Sequence, residues 1–486
     1  METPTIAPTA APVAPVAPPP PSAVEDEPKP KKRSSVRHTR AIQRDQTQRP
    51  LSAPPAERVV ERLTELVLPA AQAQASHFYG LGLRARILTL PVMVALVLSL
   101  LWRQIGSINE LVRVVNREMV LWVPPLRNLT QQALAHRLRT LPAELFGRVL
   151  STILPVLQRR WQDRRRPLPP VVAWAPAHFT AVLITAVLIP DGSTLDALWR
   201  KIGLLQEAAK GPLAGRMMAL LDLASRLPRR VWYDPDPQGH DSRFWDRLLA
   251  AILSGALVIF DLGFTNFARW ATLNARGVTW LTRAKNNLKY EVVNGLVQTP
   301  RIQDRIVWIG DSATRQQVRL IEIQAHGTIY RDLTNALELS RLPSAQAVAL
   351  YPQRWRIEDA FAVVKRLLGL AYFYCGAENA IEMQLWATWL LYAVLIDLTD
   401  AVAEALERPL AEVSVEMVYR SLYFVANAVA QAPALDPIRS DPIRYLADEA
   451  RELGILKRPR KRSRTKNPHE PPPISSNFPL TIHQMA

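Results

Sequence analysis

Two aspartates stand where the sequence predicts that strands end. Asp191 follows the apolar run 182–190, and Asp261 follows the apolar run 255–260. In open α/β sheets, ligands collect outside such strand ends. A glycine comes soon after each aspartate, so the backbone can turn sharply and leave the carboxylate at the rim. A single aspartate near glycine is more often a turn residue or a helix cap, so the pair needs a third acid before it indicates a site.

The third acid is Glu358, within the segment 351–365. At about 100° per residue, an α-helix here would place Tyr351, Arg354, Glu358 and Lys365 on one face. The apolar side would be formed by Ile357, Ala360, Phe361, Val364 and Leu367. The alternative is an ordinary solvated face on which Arg354 and Glu358 form an i,i+4 ion pair.

Three carboxylates have a clear chemical use. They repel one another in one pocket unless cations occupy it, and hard divalent ions such as Mg²⁺ prefer oxygen ligands. Two ions about 4 Å apart can activate a water or a 3′-hydroxyl and stabilise the leaving oxygen of a displacement. Arg354 and Lys365 are then placed to hold phosphate groups, with Tyr351 as a further phosphate contact. Trp355, one position off this face, could stack on a base or pack in the core.

The ordered pattern Tyr-x2-Arg-x3-Glu-x6-Lys resembles the Y-R-E-K signature of DDE transposases of bacterial insertion sequences, in the insertion sequence four group. The resemblance covers roughly residues 170 to 390. The matching stretches are Asp191-Gly192-Ser193-Thr194-Leu195-Asp196, Phe260-Asp261-Leu262-Gly263-Phe264, Trp280-Leu281-Thr282-Arg283, Leu333-Thr334-Asn335 and Leu350-Tyr351 through Lys365.

This resemblance implies an α/β fold with a ribonuclease-H-like catalytic core. Asp191 would lie on the first strand, Asp261 after the fourth, and Glu358 on a late helix beyond a β-rich insertion. It also implies a DNA transposase that cleaves transposon ends and transfers strands into target DNA. Two Mg²⁺ ions, replaceable by Mn²⁺, would serve the reaction, and a homodimer would pair the two terminal inverted repeats of double-stranded DNA. A DNA-binding protein of transposase descent without cleavage activity, or a metal-dependent nuclease, remains open.

Charge and composition favour a polyanionic partner. The formal net charge is +17, from 60 Lys and Arg against 43 Asp and Glu, which suits nucleic acid or an anionic membrane surface. The longest apolar runs, 92–102 and 182–189, are shorter than the ~20 residues of a membrane span, so no membrane association is expected. The single cysteine, Cys375, excludes an intramolecular disulfide and is expected to be a buried thiol. A cytoplasmic, nucleoid-associated protein is predicted.

The sequence divides into five segments. Residues 1–56 form a basic tail rich in Pro and Ala, and 456–486 form a second basic tail; both are expected to be disordered. Residues 57–165 form a helical DNA-binding region. Within it, a helix over 129–139 follows a Pro-rich turn, as a recognition helix would, although plain packing explains it equally. Residues 166–375 form the catalytic domain with a β-rich insertion at about 275–345, and 376–455 form a C-terminal helical region.

Apolar patterning predicts the elements of the catalytic domain. Strands are expected at 182–189, 229–233, 255–260, 278–282, 305–309 and 318–323, and an amphipathic helix at 242–253. The run 215–223 fits a strand or a helix equally well. Helices are expected from 350 to about 450. Strands followed by covering helices favour an α/β core.

Overall fold

Nine strands of the described residues form one mixed sheet. The computed structural model describes residues 57–84, 86–188, 216–234, 241–325, 328–368, 374–375, 377–431 and 441–457. The strands are β1 Val182–Leu188, β2 Arg216–Asp222, β3 Pro228–Asp234, β4 Leu257–Phe260, β5 Thr279–Arg283, β6 Tyr290–Gln298, β7 Ile302–Ile309, β8 Gln316–Ala325 and β9 Thr328–Thr334. Their order across the sheet is β3-β2-β1-β4-β5-β9-β8-β7-β6. The predicted mixed α/β class is confirmed.

The first five strands position the candidate site. β1, β4 and β5 run parallel, while β2 is antiparallel to both of its neighbours. The ambiguous run 215–223 is therefore a strand. Because β1 and β4 are parallel neighbours, both strands end at the same edge of the sheet, where ligands collect in such folds.

The other four strands extend the same sheet as an antiparallel meander. β9 pairs with β5, and β8, β7 and β6 follow outward. The predicted insertion is therefore β-rich, but it continues the core sheet. The apolar pattern missed β6 and β9. β6 is exposed over most of its length and contains Asn294-Gly295, which is typical of a turn, and β9 carries the charged pair Arg331-Asp332.

Helices cover both faces of the sheet. Their bounds are α1 Glu57–Gln72, α2 Ala75–Gly80, α3 Leu90–Trp102, α4 Ile108–Arg117, α5 Gln131–Thr140, α6 Glu144–Asp163, α7 Pro170–Trp174, α8 Trp245–Ala251, α9 Phe267–Ala275, α10 Ser344–Leu350, α11 Arg356–Ala362, α12 Glu378–Ala405, α13 Val415–Gln431 and α14 Pro442–Asp448. The helix predicted at 242–253 begins as a 3₁₀ turn, Asp241–Phe244, and continues as α8.

The two helical regions pack as one body around α12. This helix contacts α3, α5 and α6 from the N-terminal region and α13 and α14 from the C-terminal region. Ion pairs reinforce the contact at the buried carboxylate of Asp397, which accepts from Arg62 at 3.0 Å and from Arg164 at 2.6 Å. α12 has the length and composition of a membrane span, but 94% of its most apolar window is buried inside the protein, as in a core helix.

The helix predicted at 129–139 is α5. Thr130 caps it by accepting from the backbone N–H of Ala133 at 3.2 Å, and Leu134 and Leu138 bury one side. The connection from α4 spans residues 118–130, which is longer than the three or four residues of a helix-turn-helix. Packing on α12 therefore accounts for the buried side of α5, and His136 and Arg139 remain exposed on the other side.

The segment 351–365 differs from the uniform α-helix that the sequence predicts. It is a 3₁₀ turn over Tyr351–Trp355, then α11, then a π-helical turn over Val363–Leu367. The rotation per residue therefore changes along the segment, so a uniform 100° per residue does not describe it, although Arg354 and Glu358 still lie side by side. The predicted apolar side is confirmed, because Ile357, Ala360, Phe361, Val364 and Leu367 are all buried.

Some predictions lie outside the described residues. These are the tails, apart from Leu456 and Lys457, and the surroundings of Asp191. Cys375 is half-buried rather than buried; it lies against the main core beside Tyr374.

Candidate active site

Asp261 is fixed at the end of β4. It caps the 3₁₀ turn Leu262–Phe264, and its carboxylate accepts from the backbone N–H of Leu262 at 2.7 Å. Below it, the ring of Phe260 lies 5.9 Å from that of Trp245, and both residues are fully buried. The strand end is thus anchored by aromatic packing, while the carboxylate stays 48% exposed. An anchored and solvent-accessible carboxylate is suited to binding a ligand.

Glu358 lies near Asp261 in space, although it comes much later in the sequence. It lies in the first turn of α11, which packs against β1 through its buried side. The 3₁₀ turn that precedes α11 contacts β4. The Glu358 carboxylate is 46% exposed. Strand and helix therefore bring Asp261 and Glu358 to the same edge of the sheet.

Arg354 joins the two acids. Its Nη1 lies 3.8 Å from Asp261 Oδ2 and 3.8 Å from Glu358 Oε1. Its side chain is only 6% exposed, with the guanidinium carbon 4.7 Å from the ring centre of Trp355. Within the described residues, Nε and Nη1 donate no hydrogen bond. Arg354 is thus a buried cation facing two carboxylates at ion-pair distance. The i,i+4 pair considered from the sequence is present, and Asp261 makes it a three-residue group.

Tyr351 belongs to a second ionic group next to the first. Its ring is buried, and the Arg283 guanidinium carbon lies 4.4 Å from the ring centre. Arg283 Nε lies 2.8 Å from the buried carboxylate of Asp332, its partner across strands β5 and β9. Burial raises the pKa of Asp332 to about 7, against the opposing attraction of Arg283. Burial likewise raises the pKa of Tyr351 to about 12.

Sequence reasoning gave no role to Arg283 or Asp332. The only signal was the run Trp280-Leu281-Thr282-Arg283, which contributed to the family resemblance. Asp332 stands in a strand that the pattern missed, so its pairing with Arg283 depended on the sheet register.

Two predicted site residues are less completely placed. Lys365 is half-buried in the π-helical turn after α11. Asp191 lies outside the described residues, three residues beyond the end of β1.

Asp261 and Glu358 suit a divalent metal ion. Both present half-exposed carboxylate oxygens toward one cationic group, and such oxygens are the ligands that Mg²⁺ and Ca²⁺ prefer. Among the described residues, no group of three His, Cys, Asp or Glu could hold a metal ion. The described part of the chain therefore supplies two candidate ligands, and a third would have to come from elsewhere.

Comparison with known proteins identifies the domain around these acids. Residues 208–394 match the protein-family model described as "Transposase DDE domain". This part of the chain is similar to DDE transposase domains. The match contains Asp261, Glu358 and the whole signature segment, and it begins after Asp191.

Two curated relatives agree with the family. The chain is 30% identical over 156 residues to the "Putative transposase y4zB" of Sinorhizobium fredii, which is 30% of this chain and 43% of that protein. It is 22% identical over 163 residues to the "Putative transposase for insertion sequence element IS4SA" of Synechocystis, covering 32% and 46%. The chain spans less than half the length of either relative. The resemblance to DDE transposases of insertion sequences is confirmed.

Proposed function

We propose that this protein is a DNA transposase that cleaves the ends of its element and joins them to target DNA. The observation that carries the proposal is the meeting of Asp261 and Glu358 around Arg354 within a DDE transposase domain. The strand order β3-β2-β1-β4-β5, with β2 alone reversed, supports a ribonuclease-H-like core. The strands β6 to β9 would then be the insertion between the second and third acids.

Asp191 completes the acidic group in this proposal. It follows the end of β1 by three residues in the sequence, and the parallel neighbours β1 and β4 end at the same edge of the sheet. Asp191, Asp261 and Glu358 would hold two Mg²⁺ ions, with Mn²⁺ as a substitute. Such ions would supply the Lewis acidity that activates an attacking hydroxyl and stabilises a leaving oxygen.

The residues around the acids have separate tasks. Arg354 is buried against the carboxylates, so we assign it to holding them in place and to meeting the DNA phosphate that the acids bind. Tyr351, stacked on Arg283, forms the wall behind this phosphate. Lys365 would contact a neighbouring phosphate of the same strand. In this proposal, Tyr351 and Arg354 contact only the phosphate that the acids bind.

The remaining parts of the proposal concern partners. Double-stranded DNA carrying the terminal inverted repeats is the substrate, and a homodimer pairs the two ends. The exposed side of α5, with His136 and Arg139, would contribute duplex contacts from the N-terminal region. A protein acting on bacterial chromosomal DNA would work in the cytoplasm, at the nucleoid.

Cleavage and joining by isosteric variants test this function. Purified protein is incubated with Mg²⁺, labelled duplex carrying the terminal sequences that flank the gene, and a target plasmid. We expect wild type to cut the ends and join them to the plasmid. Asp191→Asn, Asp261→Asn and Glu358→Gln should each abolish both steps and leave DNA binding intact, because each removes one ligand charge and little volume.

The outcomes separate the alternatives. Cutting without joining would indicate a metal-dependent nuclease. DNA binding without cutting by the wild type would indicate a DNA-binding protein of transposase descent. Normal cleavage by any one variant would remove that residue from the site. Ca²⁺ should support binding and suppress cutting, since its looser coordination positions the reacting oxygens poorly.

A further inference from the structure

A cavity of about 520 Å³ opens on the face of the sheet opposite α11. Its walls are the N-terminal end of α9, the segment between β5 and β6, and the turn between β7 and β8. Apolar groups form its floor, from Phe267, Leu288 and Leu333. A volume of this order is typical of small-molecule sites.

The rim of this cavity is cationic. Arg283, Lys285 and Lys289 all line it, and both lysines are exposed. Within the described residues, no carboxylate pairs with either ammonium group. One acid, Asp311, also lies on the rim, but its carboxylate accepts from the hydroxyl of Thr314 at 2.8 Å within its own turn. The lining therefore has a net positive charge.

The N-terminal end of α9 adds to this field. Its first residue, Phe267, lines the cavity, and Asn266 caps the helix by accepting from the Arg269 N–H at 3.1 Å. Backbone N–H groups and the helix dipole make such an end favourable for anions. The cap alone would not indicate a site. Together with the two exposed lysines on the rim of the same cavity, it indicates a place for a phosphate.

Arg283 connects the cavity to the acidic site. It stacks on Tyr351 and also lines the cavity. β4 and β5 are parallel neighbours, so Asp261 and Arg283 emerge at the same edge of the sheet. A DNA strand whose phosphodiester lies at the carboxylates would pass the cavity as it continues.

We propose that this cavity binds the backbone of the DNA strand beyond the phosphodiester being cut. A phosphate lies among Lys285, Lys289 and the α9 end, and its deoxyribose rests against Phe267 and Leu288. This second anchor rests on the proposed function, since it takes the same DNA. It orients the DNA strand relative to the acids and takes no part in the chemical step.

The first test measures binding separately from cleavage. Anisotropy of labelled end duplex is followed in Ca²⁺ over a salt series for wild type, for Lys285→Gln/Lys289→Gln, and for Arg408→Gln/Arg444→Gln. The control removes the same charge from exposed ion pairs in the C-terminal region. We expect the lysine variant to bind roughly tenfold more weakly and to lose about one to two units of the salt slope, since each phosphate contact adds about 0.9. Equal effects in both variants would overturn the proposal.

The second test locates the contact. Lysine acetylation is mapped by mass spectrometry for wild type alone, with end duplex, and with inorganic phosphate at the same total phosphate concentration. We expect duplex to protect Lys285 and Lys289, and free phosphate to give little protection. Protection by phosphate equal to that by duplex would indicate an adventitious ion only, and no protection by bound duplex would exclude the cavity.

These results do not depend on the proposed catalysis. If Asp261→Asn abolishes cutting while the lysine variant binds like the control, the cavity proposal fails and the transposase proposal stands. If wild type shows no binding of end duplex in Ca²⁺, the transposase proposal fails first.

Discussion

Arg354→Gln removes the only described cation that faces both Asp261 and Glu358. Each carboxylate lies 3.8 Å from Nη1, a separation worth about 4 kcal/mol in gross attraction at an effective dielectric constant of 20. Both carboxylates are about half exposed, and burying the guanidinium costs solvation, so the net loss should be about 1–2 kcal/mol. At about 2 cal/mol/K of unfolding entropy per residue, a chain of this size would lose roughly 1–2 °C in Tm.

Divalent ions should restore much of that loss. In the wild type, Arg354 already neutralises the carboxylates and competes with a bound ion, whereas in Arg354→Gln the acids repel one another and attract the ion more strongly. If the ion binds about tenfold more tightly, saturation adds about 1.4 kcal/mol relative to wild type. The Mg²⁺-dependent rise in Tm, measured by scanning calorimetry without DNA, should therefore be larger in the variant.

Two controls define this comparison. Arg354→Lys keeps the charge and should respond to Mg²⁺ like the wild type. Arg356→Gln removes a neighbouring cation that pairs with Asp359 at 3.6 Å, and it should leave the Mg²⁺ response unchanged. An Mg²⁺ shift in Arg354→Gln equal to or smaller than that of the wild type would refute the idea that Arg354 balances the acids.

Three further predictions follow from two buried ionic groups and one strained turn. Arg319→Met should cost about 3–5 kcal/mol in urea unfolding, because it leaves the fully buried carboxylate of Asp304 without its cation. Arg305→Met removes a cation from a partly exposed pair and should cost at most about 1 kcal/mol. Similar losses in the two variants would contradict the burial of the Arg319–Asp304 pair. Asp332 has a pKa of about 7 in the folded protein against an ordinary 3.8, so its contribution to stability is full below about pH 4 and is lost as pH rises through 7. The free energies of unfolding of Asp332→Asn and wild type should therefore diverge between pH 4 and 7. Parallel curves would mean that Asp332 does not titrate in that window. Gly310→Ala should lose about 1–2 kcal/mol in thermal unfolding, because φ is +86° and the new Cβ would lie 2.6 Å from a backbone oxygen; unchanged stability would mean that the turn relaxes freely.

The sequence predicted best those elements whose burial leaves a pattern. β1 and β4 are short apolar runs buried between two layers of helix, so composition alone indicates them. The Met and Leu residues of β2 fit either a helix or a strand, and the pairing of β2 with β1 and β3 decides the matter. β6 lies at the exposed edge of the sheet, where no buried face enforces an apolar alternation.

The candidate site divides in the same way. Asp261 could be predicted from the sequence because a strand end followed by a turn has a local signature. Glu358 could be predicted from the spacing of Tyr351, Arg354 and Lys365 around it. The burial of Arg354 could not be predicted from the sequence, because it depends on how the 3₁₀ turn Tyr351–Trp355 packs against β4. Uniform helical phase placed Arg354 beside Glu358 but gave no sign that its side chain is buried or that it also faces Asp261.

The central claim is that Asp191, Asp261 and Glu358 hold the same divalent ions. Fe²⁺ substituted for Mg²⁺ in the full-length protein, with ascorbate and peroxide, generates hydroxyl radicals that cut the polypeptide next to the bound ion. We expect cuts near all three acids, mapped by mass spectrometry, suppressed together by excess Mg²⁺ and lost together in Asp261→Asn. Cuts near Asp261 and Glu358 without any near Asp191, or cuts that persist in Asp261→Asn, would contradict a single three-carboxylate site.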